Sequence, residues 1–121
     1  MTHKRYHIVN VNSLYVHGTI EFRAYTPGNL HAGKIKAAIL FSLAICVKAL
    51  NSRAASAQRR TYDASSAKYD FRVFLLHLGM IGEEYKTARK HLLALMPGDA
   101  AFKNGRPAKR DPKGTAVTAI T

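Results

Sequence analysis

Apolar side chains recur at every second position from Thr19 to Tyr25. Ile20, Phe22 and Ala24 fall on one side, and Thr19, Glu21, Arg23 and Tyr25 on the other. A period of two predicts a strand with one face toward a core. Tyr6–Val11, with β-branched Ile8, Val9 and Val11, predicts another strand. Asn10, Asn12 and Ser13 then read as turn or cap residues, Leu14-Tyr15-Val16 admits more than one conformation, and His17-Gly18 reads as a turn. The link is short, so the two strands should pair as antiparallel neighbours. Thr26-Pro27-Gly28-Asn29 predicts a turn after the second one.

From Ala32 to Leu50 the period changes. Ile35, Ile39, Leu43, Cys46 and Leu50 recur at three to four residues and define one helical face. Leu40, Phe41, Ile45 and Val47 fill other faces, so this helix is apolar nearly all round and is expected to be central. It needs more cover than two strands and two helices supply, which points to a partner or a further part of the fold. Residues 51–67 are rich in Ser, Ala and Arg and predict a loop. Phe71–Gly79 predicts a second helix, with Phe71, Phe74, Leu75 and Leu78 on one face and Gly79 as its terminator. A third helix is predicted over Glu83–Met96, with Tyr85, Ala88, Leu92 and Leu95 as its buried stripe and Pro97-Gly98 as its stop. The expected fold class is α+β: short antiparallel strands, then three helices. Residues 1–96 form the expected domain, and 97–121 a basic, disordered tail.

At 121 residues and 47% hydrophobic, the chain has the size and composition of one packed domain. Its charge is unusual: 19 Lys and Arg stand against 7 Asp and Glu, a net +12. Residues 1–62 hold nine of those bases and a single acid, Glu21. Such a balance makes anionic partners plausible, nucleic acid among them, with Arg53, Arg59 and Arg60 and the tail's Lys103, Arg106, Lys109, Arg110 and Lys113 as the densest groups. No helix-turn-helix, finger or RNA-binding signature accompanies the charge. The longest nearly apolar run, Ala37–Val47, is eleven residues, too short to span a membrane, so a cytoplasmic location is expected. One cysteine, Cys46, allows no intramolecular disulfide and reads as a packing residue. The six histidines show no zinc spacing, and no phosphate-loop string occurs.

The chemistry worth weighing sits on the strand Thr19-Ile20-Glu21-Phe22-Arg23. Glu21 and Arg23 share its polar face, where a carboxylate can hold a hard divalent cation and a guanidinium can fork onto phosphate oxygens. The same pair can equally be an ordinary surface ion pair.

The stretch Tyr6…Asn10…Asn12-Ser13-Leu14…His17-Gly18-Thr19-Ile20-Glu21-Phe22-Arg23, then Asn29 and the apolar helix from Lys34, resembles the C-terminal part of the amidoligase family. These are ATP-dependent carboxylate–amine ligases related to glutamine synthetase and glutamate–cysteine ligase. Phe74–Gly82 and Ala88–Leu93 are similar to the tail of amidoligases from bacterial plasmids and conjugative elements, and the likeness runs over about residues 5–106. The resemblance implies ATP and Mg²⁺ as cofactors, with Glu21 as a metal ligand and Glu21 and Arg23 as catalytic residues. It also implies Arg23, Asn29 and His31 as nucleotide- or substrate-binding residues. The carboxylate and amine substrates are not specified by it. Members of the family carry further acidic strand motifs in a longer N-terminal half. The expectation is therefore a truncated ligase piece, inactive without an upstream ligase half or an oligomeric partner. The alternative is a basic nucleic-acid-binding or protein-interaction module.

Overall fold

The computed structural model describes residues 7–25 and 31–109. The elements run β1 (Val9–Asn10), α1 (Asn12–His17), β2 (Glu21–Phe22), α2 (Ala32–Asn51), α3 (Ala67–His77), a 3₁₀ turn (Glu83–Tyr85) and α4 (Lys86–Leu93). The class is α+β, as the periodicities predict.

β1 and β2 pair antiparallel, with Val9 opposite Phe22 and Asn10 opposite Glu21. The Arg23 N–H adds a bond to the Ile8 carbonyl at 2.7 Å. Both strands are shorter than the alternation suggests. β1 stops because the Asn10 side chain turns the backbone: its Oδ1 accepts from the Asn12 N–H at 3.0 Å, and α1 starts there. Leu14-Tyr15-Val16 thereby resolves as helix. Gly18, at φ 70°, ends α1 with its N–H on the Leu14 carbonyl, a conformation in which a Cβ is strained.

α2 begins at His31, whose Nδ1 accepts from the Gly33 N–H at 3.1 Å. Its packing corrects the sequence-based expectation. The face Ile35, Ile39, Leu43, Cys46 and Leu50, expected to lie inward, points away from the core; Ile35, Ile39, Leu43 and Leu50 are exposed, and Cys46 is half-buried. The opposite face, Ala37, Leu40, Phe41, Ala44 and Ile45, makes the core with Leu75 and Leu78 of the α3 end, Met80, Ala88 and Leu93. The mix of small and large side chains on this face favours its burial. Ala37 and Ala44 on α2 and Ala88 on α4 suit close approach of two helices, which four large residues in a row do not. Gly33 also faces α4: a Cβ there would lie 2.5 Å from His91 Nε2 and 3.1 Å from the His31 ring.

α3 starts four residues before Phe71, where Ser66 Oγ donates to Asp70 Oδ2 at 2.7 Å in the first turn. It ends in a Schellman arrangement: the Gly79 N–H meets the Leu76 carbonyl at 3.0 Å and the Met80 N–H the Leu75 carbonyl at 3.1 Å, with Gly79 at φ 90°. Arg89 reaches back from α4 and donates to the carbonyls of Met80, at 2.7 Å, and Gly82, at 3.1 Å, fixing the connection. Leu75 and Met80 are fully buried at its base. The third predicted helix is a 3₁₀ turn followed by a short α4. Because α4 closes at Leu93, the 3.6 period does not continue, and Leu95, expected in the buried stripe, is 98% exposed while Leu93 is buried. Residues 52–66 carry no regular element, as the composition suggests. Asp99 caps the turn after Gly98, accepting from the Ala101 N–H at 2.7 Å, and Ala100 packs on the core. Among the described residues, no helix is long and apolar enough to cross a membrane.

Leu75→Ala should cost about 3 kcal/mol in urea unfolding, because it removes a fully buried side chain. Leu95→Ala should stay within about 0.5 kcal/mol of the parent. Equal costs at the two positions would contradict this core.

Candidate functional site

The hairpin brings three side chains into one hydrogen-bonded cluster. Glu21 and Arg23 lie two residues apart on one strand and share a face, and Arg23 Nε donates to Glu21 Oε1 at 2.8 Å. Across the ladder from Glu21, Asn10 Nδ2 donates to Glu21 Oε2 at 2.9 Å. Ser13, on α1, is in loose contact with the same amide at 3.4 Å. Asn10 therefore does two jobs at once: its oxygen starts α1 and its nitrogen holds the carboxylate. It is buried, whereas the side chains of Glu21 and Arg23 keep 45% and 39% of their surface in solvent. The pair projects together to an open face.

These bonds act on the charges. The guanidinium of Arg23 and, next, the amide of Asn10 hold the Glu21 carboxyl below its ordinary value of 4.5, with slight desolvation opposing. The carboxylate raises Arg23 in turn, so both groups are ionised across the physiological range. Among the described residues each Glu21 oxygen accepts one bond, and a carboxylate oxygen has room for a further ligand. The donor set suits one hard cation sharing its shell with phosphate oxygens, which takes one or two carboxylates. It is too small for a pair of metals. Among the described residues, no three His, Cys, Asp or Glu side chains come together.

The other candidates sit apart from this cluster. Asn29 lies outside the described residues. His31 caps α2, and its ring lies 5.2 Å from that of His91, centroid to centroid; it makes no described bond to Glu21 or Arg23. Tyr25 continues the face of Glu21 and Arg23, but its hydroxyl is 2.8 Å from Ser42 Oγ on α2. Ser42 spends its own proton on the Ala38 carbonyl at 2.9 Å, so Tyr25 is the donor and ties the hairpin to the helix. A pocket of about 140 Å³ between α2 and α4, lined by Gly33, Lys36, Leu40, Glu84, Thr87 and Ala88, does not include the cluster. It is smaller than the roughly 300 Å³ at which ligand pockets begin. Two participants escaped the sequence reading. Asn10 was legible only as a cap; its second role needs the register that sets it opposite Glu21. His91 meets His31 because α4 packs on the start of α2, which no local spacing announces.

The model of the family described as "Putative amidoligase enzyme" matches residues 1–46. This segment is amidoligase-like. It holds β1, α1, β2 and α2 as far as Cys46, and with them Asn10, Glu21, Arg23, Asn29 and His31. The amidoligase match stops before α3 and α4, so the likeness read at Phe74–Gly82 and Ala88–Leu93 lies outside it. No curated protein and no solved structure matches the chain.

A depressed folded-state pKa means that ionised Glu21 favours the folded hairpin. That contribution is fully present above the ordinary value of 4.5 and is lost as pH falls through the lowered one. The Glu21 side-chain carboxyl, followed by ¹³C NMR, should titrate below 4.5. Arg23→Gln should move its midpoint up, and Asn10→Ala should do so by less. A parent midpoint at or above 4.5 would show that the cluster does not hold the carboxylate.

Proposed function

We propose that the hairpin carries part of the nucleotide site of an ATP-dependent, amide-forming ligase. The observation behind this reading is the joint projection of Glu21 and Arg23 to solvent, inside the segment that the amidoligase model matches. Bound Mg²⁺·ATP would supply the phosphoryl group that activates a substrate carboxylate for attack by an amine, with phosphate leaving. The residues' own contribution is positioning and charge. Glu21, locked by Asn10 and Arg23, offers a hard oxygen to the cation. Arg23, oriented through its Nε, is the phosphate-directed group. Asn29 and His31, which follow β2, would approach nucleotide or substrate. The Nδ1 of His31 is spent on the helix cap, so only its Nε2 could serve.

Glu21 is the only acid in residues 1–62. One carboxylate supports one cation bridged to phosphates, whereas a metal pair needs several more. The remaining carboxylates would then come from a ligase half outside these residues or from an oligomeric partner. By itself this cluster binds nucleotide weakly and turns nothing over.

A second reading has its own support. Residues 51–65 are exposed throughout and carry Arg53, Arg59 and Arg60 with no acid before Asp63. Such a run suits contacts to a nucleic-acid backbone without base readout.

The test is a titration of the full chain with Mg²⁺·ATP, read by ³¹P NMR. Weak saturable binding is expected, with a Kd on the order of 1 mM. Arg23→Met should weaken it at least about tenfold, and Glu21→Gln should remove its dependence on Mg²⁺. Absence of binding, or binding unchanged by both substitutions, overturns the ligase reading. RNA or DNA retention that falls steeply with salt and with Arg53, Arg59 and Arg60 replaced would favour the second one.

A further inference from the structure

Four large side chains on the outer face of α2, Ile35, Ile39, Leu43 and Leu50, are exposed, and Val47 beside them is too. Their exposures run from 44% at Ile35 to 86% at Leu50. With a step of 100° per residue they form one continuous band, and Cys46 lies within it. Ile39, Leu43, Cys46 and Leu50 are spaced 4, 3 and 4 residues apart. That is the a/d spacing of a seam between two helices. A sheet would ask for no such period. The hairpin borders the band on the Ser42 side through Tyr25, and α4 covers the opposite side of the helix. The band itself carries a single charge, Lys36, at its N-terminal end.

We propose that this band is a self-association seam on which two copies of the chain pack α2 against α2, antiparallel. The occupant is a second copy because the area is sufficient and the band is self-complementary. The five exposed side chains offer roughly 500 Å² per copy, so two copies remove on the order of 1,000 Å² from water, the lower limit for a specific interface. A two-fold axis between Leu43 and Cys46 sets Ile39 against Leu50 and Leu43 against Cys46, pairing apolar with apolar from Ile39 to Leu50, while Ile35 and Lys36 fall opposite residues past the end of α2. The antiparallel sense separates the two Lys36 side chains to opposite ends and opposes the helix dipoles; the parallel sense would stack both. Like net charges of +12 oppose the association, and salt screens them. The dimer therefore tightens as salt is added, opposite to any contact made with an acidic or nucleic-acid partner. The seam does not depend on the ligase reading, since it uses none of the residues of the Glu21 cluster.

Sedimentation equilibrium of the full chain over about 5–200 µM tests this directly. The expected result is a monomer–dimer equilibrium, with a mass approaching twice 13.4 kDa at the upper end and a lower Kd in about 0.5 M than in 0.15 M salt. Leu43→Glu should raise the Kd at least about tenfold. Leu50→Lys should do likewise, at a position so exposed that folding is insensitive to it; unchanged helicity and urea midpoint would show that it is. In the parent, a short bis-maleimide should join Cys46 of one copy to Cys46 of the other, and Leu43→Glu should prevent it. A monomer throughout the range overturns the proposal. A dimer indifferent to both substitutions, or one that dissociates with added salt, also overturns it.

Discussion

A helix of twenty residues with apolar side chains on nearly every face has to be covered, and the described residues cover one side of it. α3, the Arg89-braced connection and α4 supply Leu75, Leu78, Met80, Ala88 and Leu93, enough to close over Ala37, Leu40, Phe41, Ala44 and Ile45. Everything else in the fold follows from which side that is. Ala37 and Ala44 turn toward the core together with Leu40, Phe41 and Ile45, and the stripe of Ile35, Ile39, Leu43 and Leu50 is left outside. The hairpin is attached at the border between the two sides, by a Tyr25 hydroxyl on Ser42. The burial of apolar area is the dominant favourable term in such a domain, and among the described residues it draws on one face of α2.

The hairpin compensates for its small size with side-chain bonds. Two strands of two residues are marginal in water. Asn10 links three pieces: it ends β1, starts α1 through Asn12 and grips Glu21 on β2. The carboxylate is then held by Arg23 as well. On the proposed ligase reading, fixing a charged group from two sides at an open surface keeps it ready for a cation and its phosphate ligand. It is also how a short hairpin keeps its register. The two purposes coincide in the same atoms, and they share one vulnerability, protonation of Glu21.

Much of this was legible before any coordinates. The alternation Ile20–Phe22–Ala24 marked β2 and its polar face, and with it the neighbourhood of Glu21 and Arg23. The 3.6 period marked α2 nearly to its ends, because a long periodic segment averages out local exceptions. Period alone cannot say which of two apolar faces is buried, however. That depends on the partner's shape, and the Ala37–Ala88 approach won over the larger stripe at Ile35–Leu50. Leu95 failed for a related reason: a stripe is only as long as its helix, and α4 stops at Leu93. α1 was hidden because six residues are too few for periodicity, and its start depends on a side-chain bond from Asn10. In the site, residue types and parity reveal Glu21 with Arg23, while the contact of His31 with His91 is tertiary and leaves no local trace.

That last contact constrains the history of the protein. Gly33 faces two imidazole rings, and a methyl group there would require the tip of His91 to swing aside and the His31 ring to give slightly. A smaller residue at 91 would open the space that an alanine at 33 requires, but an alanine arriving first would have to force the rings apart. The two positions are therefore coupled: with a small residue at 91 an alanine at 33 displaces little, whereas with His91 in place it needs that ring to turn away.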